Sequence, residues 1–291
     1  MLGINFAKMA RLLRDLDYLR VIQADNLSQI IEGNQQIKLD IEQSAQSEMI
    51  SYLAQRYKVN EVFSNTAVFD FEATYNGKQL VEYTETAFSV TSNYEAGDRV
   101  VYSGYIYSAN DAVTASAWDV TEWTLICADK QLFYVTLPES EFDYYTTYAV
   151  GNKVWFENKV YPCLEPCVNI DPTDTKFWGT GTSFSVTATY PDDSGVWTIG
   201  DNRNQQIVLF LIDIVLYHLH SRINPRNIPD LRKQRYNGDS SEDKGGALGW
   251  LKSVAKGNVQ ADLPAVAPKQ GLSMRSGNAG TYSQPSNNML W

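Results

Sequence analysis

Hydrophobic residues dominate one stretch of the chain, from residue 203 to residue 222. Between Ile207 and Leu219 nearly every position is apolar. The polar positions recur at spacings of seven, four and three, which places them on one side of a helix. These positions are Gln206, Asp213, Tyr217 and His220. A membrane span needs about 20 apolar residues and rarely carries a carboxylate at its middle. The pattern therefore predicts a helix in the core of the protein.

A helix that is apolar on most of its circumference needs neighbours on nearly every side. The other long predicted helix spans residues 35–57 and carries a single apolar stripe. That stripe consists of Ile37, Ile41, Ala45, Met49 and Leu53. Because one helix cannot cover the first on all sides, we expect further copies of the chain to cover the rest. The four polar positions are then predicted subunit contacts, with Asp213 and His220 forming a contact or a solvated seam and not an acid–base pair.

From about Val62 to Asn202 the hydrophobic period changes to two, and β-branched and aromatic residues alternate with polar ones. Turn signals such as Asn76-Gly77 interrupt the alternation. This pattern predicts a large β-rich insert between two helical flanks.

The insert contains an internal repeat. Tyr94, Gly97, Asp98, Val100, Tyr102, Gly104 and Tyr107 recur as Tyr148, Gly151, Asn152, Val154, Phe156, Asn158 and Tyr161. Further along, Asp119 and Trp123 match Asp174 and Trp178, Lys78-Gln79-Leu80 recurs as Lys130-Gln131-Leu132, and Phe88-Ser89-Val90-Thr91 recurs as Phe184-Ser185-Val186-Thr187. The simplest interpretation is two tandem β-modules, at about 75–126 and 127–182.

The repeat resembles the small chitin- and cellulose-binding modules that are attached to bacterial polysaccharide hydrolases. That resemblance implies a surface for stacking sugars on aromatic rings. Four tryptophans are the candidate glycan contacts. They are Trp118, Trp123, Trp155 and Trp178. The exposed aromatic pair of those modules is replaced here by Ser108-Ala109-Asn110-Asp111 and by Pro162-Cys163-Leu164-Glu165.

After the apolar helix, residues 247–257 predict a short amphipathic helix that ends at Gly257, with Trp250 and Leu251 as candidate partner contacts. Beyond Asn258 the composition shifts to Gly, Ser, Asn, Gln and Pro, which predicts an extended tail over 258–291. Its final residues Met289, Leu290 and Trp291 form an apolar cluster, which we expect to anchor the tail on a neighbouring subunit or another protein.

Charge separates the same regions. The chain has a net charge of −10. Residues 61–201 contain 21 acidic and 6 basic residues, whereas the flanks contain 13 acidic and 18 basic residues. The sequence therefore predicts an α+β protein with a helical domain in two parts, residues 1–61 and 203–257, an inserted β-rich unit at 62–202, and the tail.

Candidate chemistry is sparse. The three cysteines provide no disulfide framework, and Cys163 and Cys167 lack the second pair of ligands that a zinc site needs. The two histidines, His218 and His220, do not share a helical face, and neither has a nucleophile motif beside it. Charged residues interrupt the N-terminal segment, which disfavours a signal peptide and favours synthesis in the cytoplasm. We expect no enzyme activity, no metal and no cofactor.

The two flanks, read without the insert, resemble the Mu-like phage head completion, or head-tail adaptor, family. The resemblance covers the signature from Gln46 to Tyr57, the apolar helix over 207–222, Arg235-Tyr236, and the motif from Ala247 to Gly257. It implies a helical structural protein of the virion neck that assembles in the host cytoplasm. It also implies a homo-oligomeric ring of about twelve copies, bound to the portal protein and to further neck or tail proteins. DNA would pass through its channel without sequence-specific binding.

The ten residues between Tyr236 and Ala247 and the large insert depart from the usual pattern of that family. Elaborate neck rings of crAss-like phages are similar in having such additions. Two other hypotheses rest on the insert alone: a glycan-binding surface or adhesion protein, and an accessory subunit of a polysaccharide-degrading enzyme.

Overall fold

A computed structural model describes residues 11–63, 66–193, 195–238 and 245–266 of the chain. Both flanks contribute to one helical unit, and residues 66–200 form a β-rich unit between them. The α+β class that the sequence predicts is confirmed.

The helical unit begins with a short 3-10 helix. The elements of the unit are that helix (Asp15–Arg20), α1 (Ala24–Ile30), α2 (Gln35–Leu53), α3 (Val59–Val62), α4 (Gln205–Ile223), α5 (Asp230–Asn237) and α6 (Gly246–Lys256). Three of them, α2, α4 and α6, correspond to the helices predicted at 35–57, 203–222 and 247–257. At its start α4 is capped by Asn204, whose side chain accepts hydrogen bonds from the backbone N–H groups of Gln206 and Ile207.

The chain itself covers α4. The 3-10 helix, α1, α2, α5 and α6 all pack against it, and most of its residues from Ile207 to Leu219 are fully buried. Among the described residues α4 is the one helix with the length and apolar composition of a membrane span, and half of its most apolar window is buried within the protein. The short helices, which the sequence argument does not include, thus cover much of α4 within one subunit. Assembly of several copies stays a prediction.

In the first turns of α2, the side of the helix that is buried differs from the predicted apolar stripe. Ile37 is only half-buried, whereas its neighbours Lys38 and Glu42 are buried. Glu42 accepts a hydrogen bond from the Arg11 side chain at 2.7 Å, and the Tyr18 hydroxyl donates to it at 2.8 Å. Buried polar groups are tolerated here because hydrogen bonds satisfy them.

The β-rich unit consists of short strands. They are β1 (Ala67–Val68), β2 (Thr74–Asn76), β3 (Leu80–Tyr83), β4 (Arg99–Tyr102), β5 (Tyr105–Ala109), β6 (Trp123–Ala128), β7 (Gln131–Val135), β8 (Thr147–Tyr148), β9 (Lys153–Phe156), β10 (Lys159–Pro162), β11 (Cys167–Val168), β12 (Thr182–Ser183), β13 (Ser185–Thr187) and β14 (Trp197–Ile199). A four-stranded sheet in the order β1-β3-β7-β14 lies at the centre, and smaller sheets flank it.

Three copies of one module make up this unit, and one of them is split along the chain. We name residues 84–129 the first module and residues 139–184 the second module. Residues 66–83, 130–138 and 185–200 together form the split module. The first module is inserted between strands β3 and β7, and the second module between β7 and β13.

The same aromatic arrangement identifies all three copies. In each, a Phe ring stacks on a Tyr ring with centroids 5.5–5.9 Å apart, and a Trp ring meets that Tyr edge-on at 5.2–5.3 Å. The three sets are Phe69, Tyr75 and Trp197; Phe88, Tyr94 and Trp123; and Phe142, Tyr148 and Trp178. Each set forms the centre of its own small core.

Backbone contacts repeat as well. The Tyr hydroxyl in each copy bonds both the N–H and the carbonyl of the residue five positions earlier. Three residues after each Tyr the backbone has a positive φ. Gly97 and Gly151 occupy this position in the two intact modules, with φ of 91° and 89°, whereas Lys78 occupies it in the split module with φ of 63°. A non-glycine residue in this conformation is strained. Because Lys78 stands in place of the glycine, the split copy lacks one residue of the repeat pattern.

The repeated aromatic and backbone contacts place the two intact modules at residues 84–129 and 139–184, whereas the sequence analysis predicts them at about 75–126 and 127–182. The Lys78 and Lys130 segments are not equivalent, because the strands that follow them pair antiparallel within the split module. Phe88 stacks in the first module, whereas Phe184 lies next to the strand pair β12–β10 and belongs to a different environment. Short sequence identities at these places therefore do not mark the repeat.

Candidate interaction sites

The four polar positions of α4 have different environments. Gln206 is exposed at the start of the helix. Asp213 is buried and lies 3.3 Å from the Arg235 guanidinium on α5. Tyr217 stacks on Tyr236 of α5, with ring centroids 4.1 Å apart. Helix α5 of the same chain thus covers the middle of the predicted contact stripe.

His220 is half-buried, and its Nδ1 lies 2.7 Å from the carbonyl oxygen of Leu216 in the same helix. On α6, Leu251 is fully buried and therefore acts in the core. Trp250 is half-buried against Phe210, with ring centroids 5.1 Å apart. The remaining predicted contacts, Met289, Leu290 and Trp291, lie outside the described residues.

Burial raises the pKa of Asp213, because the charged carboxylate is disfavoured away from water and Arg235 compensates only in part. The pKa of a second carboxylate on the helical unit, that of Glu48, shifts in the opposite direction. Glu48 on α2 lies 2.9 Å from His218 Nε2 and accepts a hydrogen bond from the Tyr236 hydroxyl at 2.7 Å. These hydrogen bonds, that of His218 first, lower the pKa of Glu48.

The cluster of Glu48, His218 and Tyr236 joins α2, α4 and α5. It contains an acid, an imidazole and a phenol, and its contacts hold the three helices together.

Three of the four candidate glycan tryptophans are core residues. Trp123, Trp155 and Trp178 are between 1% and 5% exposed. Trp118 is half-buried, with Tyr102 stacked on it at 4.0 Å and Trp123 at 5.1 Å. These two rings take up much of the surface that a sugar would need. The exposed aromatic ring of this stack is Tyr102.

Trp155 fixes the second module against the split module. Trp155 corresponds to Val101 of the first module. Each forms a parallel bridge with the residue just before the Phe of its own module, Glu141 for Trp155 and Ala87 for Val101. A Cβ atom on Gly77 would lie 2.9 Å from the Trp155 Nε1 atom and 2.8 Å from the Leu137 side chain. Only glycine allows this close approach. The Asn158 side chain adds hydrogen bonds to the N–H of Gly77 and to the Asn76 side chain.

A cavity of about 770 Å³ lies where the helical unit, the split module and the second module meet. We call it the junction pocket. Its aromatic walls are Tyr57, Tyr144, Trp155 and Phe156. The Lys58 ammonium lies 4.8 Å from the centre of the Phe156 ring, which brings the helical unit directly against the second module.

Two buried polar atoms of residues that line this pocket have no hydrogen-bond partner. They are the Nε1 atom of Trp155 and the Oε2 atom of Glu61. The other oxygen of Glu61 pairs with Lys58 at 3.2 Å. Unsatisfied buried groups are uncommon. The volume of the cavity and its aromatic walls make the pocket a candidate binding site.

A network of buried ion pairs joins the helical unit to the β-rich unit. Arg203 donates to both carboxylate oxygens of Asp17 at 2.7 and 3.0 Å, and to Asp201 at 2.7 Å. Burial alone would raise the pKa of Asp201, but the hydrogen bonds and charge of Arg203 outweigh it and lower that pKa. The guanidinium also donates to the carbonyl oxygen of Leu12 at 2.7 Å.

The cysteines are free thiols in the described structure. Burial raises the pKa of Cys167 to about 11, which leaves the thiol protonated at neutral pH. Among the described residues no group of three or more His, Cys, Asp or Glu side chains is arranged to hold a metal ion.

Sequence reasoning missed the Asp17–Arg203 network and the junction pocket. Asp17 and Arg203 are 186 positions apart, with the whole insert between them, so no local spacing connects them. The pocket joins residues from four separate parts of the chain. The Asn76-Gly77 pair gave a turn signal, but nothing local shows that Gly77 contacts Trp155.

No protein-family model matches the chain, and no curated protein matches it.

Proposed function

We propose that the chain is a head-tail adaptor that forms a homo-oligomeric ring on the portal of a phage head and extends the DNA channel towards the tail. The observation that carries the proposal is the joining of the two flanks in one hydrophobic core. Helices α2, α4 and α6 hold the segments that resemble the adaptor family, and all three pack on one another.

The position of the insert supports the same interpretation. Where the β-rich unit begins, Thr66 donates its N–H to the Arg11 carbonyl at 3.3 Å. Where it ends, Arg203 donates to the carbonyl of Leu12. Both ends of the unit thus contact neighbouring residues of the helical unit. A folded insert whose ends lie together can extend from a platform without disturbing it.

Charge suggests how the units are oriented in a ring. The β-rich unit carries most of the negative charge, whereas the flanks carry a net positive charge. Many copies of the acidic unit beside DNA would repel it at short range. We therefore place the helical unit nearer the channel and the β-rich modules on the outer rim. Trp118 and Trp178 would then lie away from the channel.

Ring contacts would use the exposed surface of the helical unit. Gln206 and Leu209 lie one turn apart at the exposed start of α4. Because Leu251 and Asp213 are buried within the subunit, we do not assign them to the ring interface.

The proposal is tested by native mass spectrometry of the purified chain, alone and with the portal protein of the same phage. We expect closed oligomers of about twelve subunits, or monomers that form such rings when the portal is added. A chain that stays monomeric with the portal present would contradict the proposal.

A matched pair of variants locates the contact. We expect Leu209→Lys to weaken ring formation at least tenfold, because it places a charge in the proposed interface. Leu125→Lys changes a leucine on the first module that is 55% exposed, against 42% for Leu209, and should leave the ring intact. Equal effects of the two substitutions would show that the ring contact does not lie at α4.

The alternative function, glycan binding by the modules, has less support. Its predicted stacking residues Trp123, Trp155 and Trp178 are buried, and Trp118 is half-buried with two rings stacked on it. Tyr102 would have to supply the stacking surface instead. A glycan array probed with the wild-type chain and with Tyr102→Ala tests this alternative.

A further inference from the structure

The described part of the chain ends at the junction pocket. Val266, its last residue, forms part of the pocket wall. The N–H of Val266 donates to the Arg56 carbonyl at 2.9 Å, and the N–H of Lys58 donates to the Pro264 carbonyl at 2.8 Å. Residues 264–266 are therefore held antiparallel to residues 56–58, beside the cavity.

We propose that the junction pocket binds the C-terminal segment of the same chain, with Met289, Leu290 and Trp291 as its anchor. This inference does not depend on the ring or on the portal. It differs from the sequence expectation, which placed the same three residues on a neighbouring subunit or another protein.

The pocket has the size and chemistry for a short apolar peptide. Its volume of about 770 Å³ falls within the range of about 300–1,000 Å³ that is typical of ligand pockets. Aromatic walls favour large apolar side chains.

Length allows the anchor to reach the pocket. A coil of the 22 residues between Val266 and Met289 spans on average roughly 25 Å. Its extended length is at most about 80 Å. Because the segment starts at the pocket wall, its own anchor is present there at about millimolar effective concentration. An anchor from another molecule reaches that concentration only within an assembly.

Charge is compatible with this occupant. The carboxylates of Glu61, Glu157 and Asp171 line the pocket together with Lys58 and Lys78. Lys78 pairs with Glu141 and Lys58 with Glu61. The charged residues of segment 267–291 are Lys269 and Arg275, so this segment is basic. A bound tail would connect the helical unit, the split module and the second module and so fix the orientation of the modules.

Cross-linking of the full chain tests the proposal. The variant Asn60→Cys with Asn288→Cys places one thiol on an exposed position of the pocket wall and the other beside the anchor. A short bismaleimide should join them within one molecule, as peptide mass spectrometry would detect. The control is Asn227→Cys with Asn288→Cys, in which the first thiol lies on the exposed connection between α4 and α5.

We expect the pocket pair to give at least a tenfold higher intramolecular yield than the control pair. Adding Trp291→Ala should lower that yield several-fold, whereas Trp291→Phe should largely preserve it. Equal yields from the two pairs, or no effect of Trp291→Ala, would overturn the proposal. A product formed mainly between isotopically distinct molecules would show that the pocket binds the segment of another copy and would also overturn it.

Discussion

The helical unit and the β-rich unit are stabilised in different ways. The helical unit has one large core of mainly aliphatic side chains, drawn from both flanks of the chain. The β-rich unit has three small cores, each centred on a Phe, a Tyr and a Trp. Short strands carry few aliphatic residues, so large aromatic rings supply most of the buried apolar area.

The two units also differ in how deeply they bury charged side chains. The helical unit buries Asp17, Lys38, Glu42 and Asp213. The ion pairs within the β-rich unit are more exposed than these groups: Lys78 and Glu141 are 41% and 40% exposed, and Arg99 and Asp192 are 13% and 34% exposed. A change to a charged partner should therefore have a larger effect in the helical unit, whereas the β-rich unit should respond most to its aromatic residues.

The largest expected effect on stability is that of replacing Arg203. Arg203→Met removes the guanidinium that Asp17 and Asp201 share, while Arg14 and Arg20 remain 3.6 and 3.7 Å from Asp17. We expect the free energy of unfolding to fall by about 3 kcal/mol. Lys78→Met, in the exposed pair with Glu141, should cost less than about 1 kcal/mol. Urea unfolding followed by circular dichroism measures both, and similar costs would contradict the proposed difference between the units.

A smaller effect on the free energy of unfolding is expected from Trp→Phe substitutions, and its size should differ between the modules. The Trp178 indole donates to the Ile170 carbonyl at 3.1 Å, whereas the Trp123 Nε1 atom has no partner. Trp178→Phe therefore leaves a carbonyl without its donor and should cost about 1–3 kcal/mol more than Trp123→Phe.

Both substitutions remove a similar ring area, so each is the control for the other. Unfolding is best followed by the fluorescence of the remaining tryptophans. Trp197→Phe in the split module should resemble Trp178→Phe, since Trp197 donates to Thr189 at 3.1 Å. An equal cost at Trp123 and Trp178 would show that ring packing alone determines stability.

The smallest effect concerns pH and the two carboxylates on the helical unit. The pKa of Glu48 is lowered in the fold, so its contribution to stability is present above its unfolded pKa of about 4.3 and is lost as the pH falls through the lower folded value. The pKa of Asp213 is raised, so its effect has the opposite sign: stability decreases as the pH rises from the unfolded to the folded value.

Glu48→Gln should thus be more destabilising at pH 7 than at pH 3.5, and Asp213→Asn should be less destabilising at pH 7 than at pH 3.5. Urea unfolding at the two pH values gives both comparisons. A pH dependence of the same sign for both variants would contradict the assignment of their environments.

The sequence predicts the helices well and the repeat only in part. The long apolar run and the glycine at the end of α6 are local signals, and they locate α4 and α6. The split module was missed because two inserted modules separate its parts and because Lys78 stands where Gly97 and Gly151 stand in the other copies. A weak signal was present, since Asp193 and Trp197 have the spacing of Asp119 and Trp123.

The candidate contacts were harder to predict than the elements. A helical stripe identifies residues that share a face but not the element that covers them, so Asp213 and Tyr217 were assigned to a neighbouring subunit although α5 covers them. Likewise, tryptophans that form small cores have the same sequence pattern as tryptophans that bind sugars.

The central claim is that the helical unit is a platform that folds and assembles without the β-rich unit. Replacing residues 66–200 by a short Gly-Ser linker tests it most directly, because both ends of the insert contact Arg11 and Leu12. Native mass spectrometry, with circular dichroism as the check on folding, should show a helical protein that forms the same oligomer as the full chain. A shortened chain that is helical but monomeric, under conditions in which the full chain assembles, would contradict the claim, as would complete loss of the helical signal.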